Sequence, residues 1–269
     1  MIDKDAIEAL QLSQAINAAN ECITSPAVTA LPENFKLHDL EKHRAIRRRA
    51  IGQMNTTAVE DFAAYIDQHA EPGATVFVNP EGMRAVAVLN LGNPDEPGHA
   101  DNTAVLAPKR TAAFTALLAL ANGSPLSQQT VAEFLEDWPS LASCYNEEGP
   151  ITLAKAIAAV RKVSIEAMRK MESVEKQHAA SRSAFESIQA SSTEPLPTLV
   201  YFETVPYHGL KSRLFVMRLG VRTGSEKPSL TLRVQNMEQH EEDMANELVA
   251  IVADTVKTTP VLLGTYQPK

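Results

Sequence analysis

The stretch TLVYFETVPYHGLKSRLFVMRLGVRTGSEKPSLTLRVQNM, Thr198 to Met237, decides the fold. Thr198–Val205, Lys211–Arg222 and Leu230–Met237 read as three strands. In the third, Leu230, Leu232 and Val234 face one way, with Thr231, Arg233 and Gln235 on the other side. Phe215, Met217, Leu219 and Val221 likewise share a face of the second. The last two strands flank a turn region, Thr223 to Pro228. Connections this short imply antiparallel pairing, because a parallel pair needs a crossover of a dozen or more residues. A helix from Glu238 to Lys257 follows, burying Met244, Leu248, Ile251 and Val252, and Val261–Tyr266 adds a candidate final strand. A meander backed by a helix is an α+β pattern.

Upstream, neither Gly nor Pro interrupts Ile151 to Ser191. Leu153, Ile157, Val160, Ile165, Met168, Met171 and Val174 recur there at helical steps. An unbroken helix of about 40 residues would reach about 60 Å. Either it breaks near Gln177-His178 or it projects as an arm that pairs with other copies. Further upstream, Ala74–Asn79 and Met83–Leu91 are Val-rich strands joined by the turn Asn79-Pro80-Glu81-Gly82, with Thr103–Ala107 a candidate third strand. Thr57-Ala58-Val59-Glu60 has capping-box spacing and opens a helix that buries Val59, Phe62, Ala63 and Ile66. Arg110–Ala121 and Ser127–Trp138 read as helices, the second capped by Ser127. Asp3 caps a first helix with Ile7, Leu10 and Ile16 along one stripe, and Asp39–Gln53 reads as a short basic helix. The expected organisation is residues 1–150 as an N-terminal region with a small sheet among helices, 151–195 as the long helical segment, and 196–269 as the antiparallel sheet plus helix.

Composition narrows the class. Hydrophobic residues at 44% and charged residues at 22% exclude wholesale disorder. The net charge of −8 asks for neither nucleic acid nor membrane, although a total can hide a local patch. The longest apolar run, Ala112–Ala121, is about half a membrane span. The acidic start, Met1-Ile2-Asp3-Lys4-Asp5, lacks an export signal. Cys22 and Cys144 are too far apart to read as a metal knuckle or redox pair. A cytoplasmic protein without membrane partner or cofactor is expected.

Two arginine groups carry the binding chemistry. Arg44, Arg47 and Arg48 would share one helix face and meet successive phosphates, within a run that also holds Lys36, Lys42 and Arg49. Arg218 and Arg222 share a strand face, with Arg213 and Arg233 expected near them, a track suited to single-stranded DNA. Against this, five tyrosines and one tryptophan leave little for base stacking. Two acidic groups point elsewhere. His99 lies among Asp95, Glu96 and Asp101, a set that suits a divalent metal or a general base, or a surface turn held by its own side-chain bonds. Glu133, Glu136 and Asp137 lie one helical turn apart, as in a Mg²⁺ site or on the wet side of an amphipathic helix. No phosphate-binding Gly-rich loop, dinucleotide fingerprint, His-Glu-x-x-His or Gly-x-Ser-x-Gly occurs.

Asp39-Leu40-Glu41, Phe62 with Tyr65, Pro97-Gly98-His99 with Asp101, Gln129 followed by Phe134-Leu135-Glu136-Asp137, and a C-terminal unit ending at Pro260-Val261 and Gly264 occur in an order that resembles the prophage YfdQ-like family. The resemblance covers nearly the whole chain. It implies a bacteriophage or prophage origin in a bacterial host, near recombination and single-strand-annealing functions, and none of its motifs is a catalytic signature.

Three readings follow. The first is a non-enzymatic, self-associating phage accessory protein of DNA recombination or single-strand DNA metabolism, using Arg44, Arg47, Arg48, Arg213, Arg218 and Arg222 on phosphate. The second is a self-assembling structural protein forming a ring, cage or shell. The third is a metal-dependent nuclease-like enzyme on the His99 loop or the Glu133 helix. The expectation is the first, with homo-oligomerisation, no catalytic residue and no metal.

Overall fold

Val76 and Val78 alternate with Thr75, Phe77 and Asn79, and that period of two puts both valines inside a sheet. The computed structural model describes residues 3–22, 41–162, 196–222 and 229–267. The chain forms two compact units, Met1–Ala50 and Ile51–Lys269.

In the first unit, α1 (Lys4–Cys22) starts after Asp3, whose carbonyl accepts the N–H groups of Ala6 and Ile7. Its apolar residues Ile7, Leu10, Leu12 and Ile16 remain exposed. The helix expected over Asp39–Gln53 is absent from residues 41–53. A single 3₁₀ turn, Glu41–His43, gives way to bends, and Gly52 and Gln53 already belong to a strand. The Glu41 carboxylate accepts the Arg48 N–H at 3.0 Å, closing a loop in place of helical bonds. Isolated helices this short are marginal in water.

The larger unit runs β1 (Gly52–Thr56), α2 (Val59–His69), β2 (Thr75–Asn79), β3 (Arg84–Val88), β4 (Asn102–Leu106), α3 (Ala112–Leu120), α4 (Gln128–Asp137), β5 (Ala142–Asn146), β6 (Gly149–Ile151), α5 (Leu153–Lys162), β7 (Leu199–Thr204), β8 (Arg213–Arg222), β9 (Ser229–Val234), α6 (Met237–Thr255) and β10 (Val261–Leu263). Among the described residues these strands form two five-stranded sheets. One is mixed, in the order β1-β4-β3-β2-β10, with β1–β4 and β2–β10 parallel. The other is antiparallel throughout, in the order β6-β5-β7-β8-β9. The fold is α+β.

The hairpin at Asn79–Gly82 forms as its sequence demands, Asn79 Oδ1 accepting the Gly82 N–H at 3.1 Å. The expected capping box does not form. Ala58 is the N-cap of α2, and Thr56 Oγ1 accepts the Ala58 N–H instead. Thr111 caps α3 and Ser127 caps α4, each accepting an N–H three residues on.

Both sheets are backed by helices, and α6 serves both cores. Met244 packs with Phe114, Phe202, Phe215 and Met217 over the antiparallel sheet. One turn later, Leu248 and Val252 join Phe62, Ile66, Val76 and Val78 over the mixed sheet. The chain therefore crosses the sequence divisions twice: β5 and β6 pair into the sheet of β7–β9, and β10 returns to pair with β2. Of the long helical segment, residues 153–162 form α5, and residues 163–195, with the expected break near Gln177-His178, lie outside the described residues.

Candidate nucleic-acid interface

Along β8 and β9 the odd-even alternation sends Phe215, Met217 and Leu219, then Leu230, Leu232 and Val234, into the core. Residues between them face outward, and register sets Arg218 directly opposite Arg233. Cβ atoms of opposed residues lie about 5 Å apart, and like charges so placed repel. Neither guanidinium has a hydrogen bond or ion pair with a described residue. With Gln235 and Asn236 they line a cleft of about 260 Å³. Gly220, next along, has no side chain to clash with Thr231, whose Oγ1 would lie 2.7 Å from an added Cβ. The cleft floor can therefore stay flat.

Register carries the same face across the sheet. Arg218 pairs with Leu199 and Leu199 with Tyr145, while Val216 pairs with Tyr201 and Tyr201 with Ser143. The Tyr145 and Tyr201 rings pack with centroids 4.5 Å apart, tilted by 34°. From Tyr145 to Arg233 is three strand spacings, roughly 14 Å. Two cations without a partner among the described residues at one end and an aromatic pair at the other form a face where phosphate and base can be held at once. Glu203, a carboxylate on this face, sits at the far end of β7, near Ser212.

The remaining arginines fall elsewhere. Arg213 shares the inward parity of Phe215, so it turns away from Arg218 and toward α6. Its Nη2 donates to Glu247 Oε2 at 2.7 Å and to the Asp243 carbonyl at 3.1 Å, and the Asp243 carboxylate lies 3.7 Å from Nη1. Only 18% of the Arg213 side chain is exposed, and its Nε has no partner. It ties β8 to α6 and is not placed to hold phosphate with Arg218. Arg222 pairs with Ser229 at the end of β8. Arg44, Arg47 and Arg48 are exposed on bends, and the helix face that was to align them does not exist.

Three of the acidic side chains, Asp101, Glu133 and Glu136, have partners. Asn93 Oδ1 accepts the N–H groups of Asp95 and Glu96, folding the His99 loop on its own side-chain bonds. Gly98 lies so close to the Asn90 carbonyl that an added Cβ would sit 2.0 Å from it, and Asn90 in turn donates to Asp101 at 2.9 Å. On α4, Glu136 receives both its hydrogen bonds from Arg161 of α5, and Glu133 accepts from Gln129. No group of three metal-capable side chains occurs among the described residues. Cys144 is buried, and burial pushes its thiol up to about 11, so it is a packing residue without thiolate character at neutral pH. Among the described residues no helix is long and apolar enough to cross a membrane.

Sequence reasoning missed the tyrosines. Tyr201 stands on the polar side of the Leu199–Thr204 alternation, a readable signal. Tyr145 had none, because Ala142–Asn146 lacks the β-branched alternation that marks a strand. Against known proteins, residues 2–266 match the family described as Uncharacterized conserved protein (DUF2303), and the chain belongs to that family. No curated protein and no solved structure matches it.

Proposed function

We propose that this member of the DUF2303 family binds single-stranded DNA on the outer face of its antiparallel sheet, as a non-enzymatic accessory of phage or prophage DNA metabolism in the bacterial cytoplasm. The observation that carries the reading is the cross-strand pair Arg218–Arg233, two opposed cations with no protein partner among the described residues. An opposed like-charge pair costs stability unless an anion comes to it. Phosphates sit in the Arg218–Arg233 cleft, and bases lie back over Leu199 and Val216 toward the Tyr145–Tyr201 pair. Arg44, Arg47 and Arg48, exposed in the first unit, offer phosphate contacts of their own that carry no sequence preference. The chemistry of this reading is binding alone, and Asp101, Glu133 and Glu136, three of the carboxylates that suggested a metal, accept instead from Asn90, Gln129 and Arg161.

Self-association belongs to the same reading. Leu262 and Leu263 are 52% and 68% exposed on β10, the last strand of its sheet, and such an edge invites pairing with a second copy. The ring, cage or shell reading rests on this edge.

Fluorescence anisotropy with labelled oligothymidylate at low salt tests the binding. Tyr201→Ala weakens it by roughly tenfold, the loss of one stacked base, while Tyr201→Phe retains it. Equal affinity in Tyr201→Ala and the intact protein overturns the proposed role of the tyrosines. Absence of binding at low salt overturns the function.

A further inference from the structure

A second concave site lies in the same unit, its α6 wall starting at Met237, one residue past the Asn236 that lines the arginine cleft. Its cavity is about 430 Å³, within the range of small-molecule sites. Four separate pieces of chain wall it: the β2–β3 turn, α3, the loop holding Tyr207, and the first turns of α6. Phe114 and Met244 give it a buried apolar floor, and Met83, Leu118 and Met237 give it flexible apolar sides. Methionine is the side chain best able to mould itself to a bound apolar body.

The backbone is unusual at two of these walls. Met83 holds φ at +46°, and Asn236, immediately before Met237, holds +52°. Left-handed conformations at non-glycine residues cost energy and gather at ligand-holding positions. Here they aim one methionine from the hairpin and another from the helix start into one cavity.

Charge at the rim selects the ligand. Glu81, Glu241 and Glu242 line the opening, and none is within 4.0 Å of a described lysine or arginine nitrogen. Among the described residues Arg110 is the one cation of the lining. It is occupied, its Nε–H donating to Tyr207 Oη at 3.1 Å with its guanidinium carbon 5.8 Å from the ring centroid. Three carboxylates against one arginine leave the rim negative. Glu241 and Glu242 lie beyond the first turn of α6, where the positive helix end no longer accounts for them.

We propose that this cavity binds a small organic cation, a primary amine carried on an apolar body, with the body against Phe114 and the methionines and the ammonium among Glu81, Glu241 and Glu242. Because four separate pieces of chain wall it, ligand that binds only the folded unit also raises its melting temperature.

The test uses the full chain with methyl-labelled methionine, the three wall methionines assigned by Met→Leu variants. 2-Phenylethylamine and 3-phenylpropanoate share ring and linker and differ in charge. The amine is expected to move the methyl resonances of Met83, Met237 and Met244 and leave that of Met54 in place. Its affinity falls roughly threefold or more in Glu241→Gln/Glu242→Gln, as expected for two partly screened charges. That variant keeps the unliganded methyl spectrum, which shows that its cavity is formed. The proposal is overturned if the carboxylate binds as well as the amine, if neither moves the three methyls, or if the double variant binds the amine unchanged.

Discussion

Removing Glu247 should expose how β8 is held to α6. Its carboxylate accepts the Lys211 N–H at 2.8 Å through Oε1 and Arg213 Nη2 at 2.7 Å through Oε2. The two side chains are only 12% and 18% exposed. Taking one partner from a buried ion pair costs about 3 to 5 kcal/mol, because the other charge stays behind. Here Asp243 remains 3.7 Å from Arg213 and its carbonyl still accepts, so Glu247→Ala is expected at the low end, about 3 kcal/mol. Glu247→Gln keeps one acceptor oxygen but sets its NH₂ against the other donor, and so costs about 1.5 to 3 kcal/mol. Urea unfolding followed at Trp138, the single tryptophan and a neighbour of the same core, reads both. With m of roughly 2 to 3 kcal/mol/M, Glu247→Ala lowers the midpoint by about 1 to 1.5 M at unchanged m. Arg213→Met in the Glu247→Ala background should restore part of the loss, giving a coupling of about 1.5 kcal/mol or more. A loss below about 0.5 kcal/mol, or additive single losses, would show that the pair does not anchor the strand.

Leu248 has no exposure and lies under the mixed sheet, so Leu248→Ala should cost about 2 to 5 kcal/mol by the same unfolding assay. His240 packs its ring 4.8 Å from Phe215, and desolvation, with the Arg213 charge, holds its pKa below the ordinary value, Asp243 partly offsetting this. The unfolded chain therefore binds the proton more readily, so stability should fall as pH drops below about 6.5 and level off beneath the folded pKa. His240→Gln should remove that dependence in unfolding curves taken from pH 7 to 5. Cys144 should resist maleimide in native Cys22→Ser protein and react once urea unfolds it, read by mass spectrometry; rapid native labelling would contradict its burial.

Most of the architecture was legible where side chains alternate or cap. Val76, Val78, Phe215 and Leu232 declare their faces, and the Ser127-to-Thr130 bond forms as a capping sequence implies, whereas the Thr111 cap of α3 went unread. What failed was local polarity and context. Gly52–Thr56 pairs along β4 although Gln53 and Asn55 are polar, and Pro150 is tolerated because β6 is an edge strand. The basic segment around Arg47 has helical composition, but a side-chain bond from Glu41 takes the backbone another way. At the candidate interface, Arg218 and Arg233 could be assigned a face from sequence, but not a direct opposition, which depends on register across a turn. Arg213 looked like their companion until parity turned it toward Glu247. The Tyr145–Tyr201 pair required knowing that β5 also pairs with β7, which begins more than fifty residues later.

The most direct test of the account is the salt dependence of single-stranded DNA binding in Arg218→Ala/Arg233→Ala, set beside Arg44→Ala/Arg47→Ala/Arg48→Ala. Each phosphate contact on a single strand contributes about 0.7 to the slope of log K against log salt. Removing the cross-strand pair should therefore flatten the slope by about 1.4 and weaken binding similarly across sequences, and the triple variant should flatten it by at most about 2. An unchanged slope in the double variant, with binding intact, would place the phosphates somewhere other than the sheet face and contradict the account.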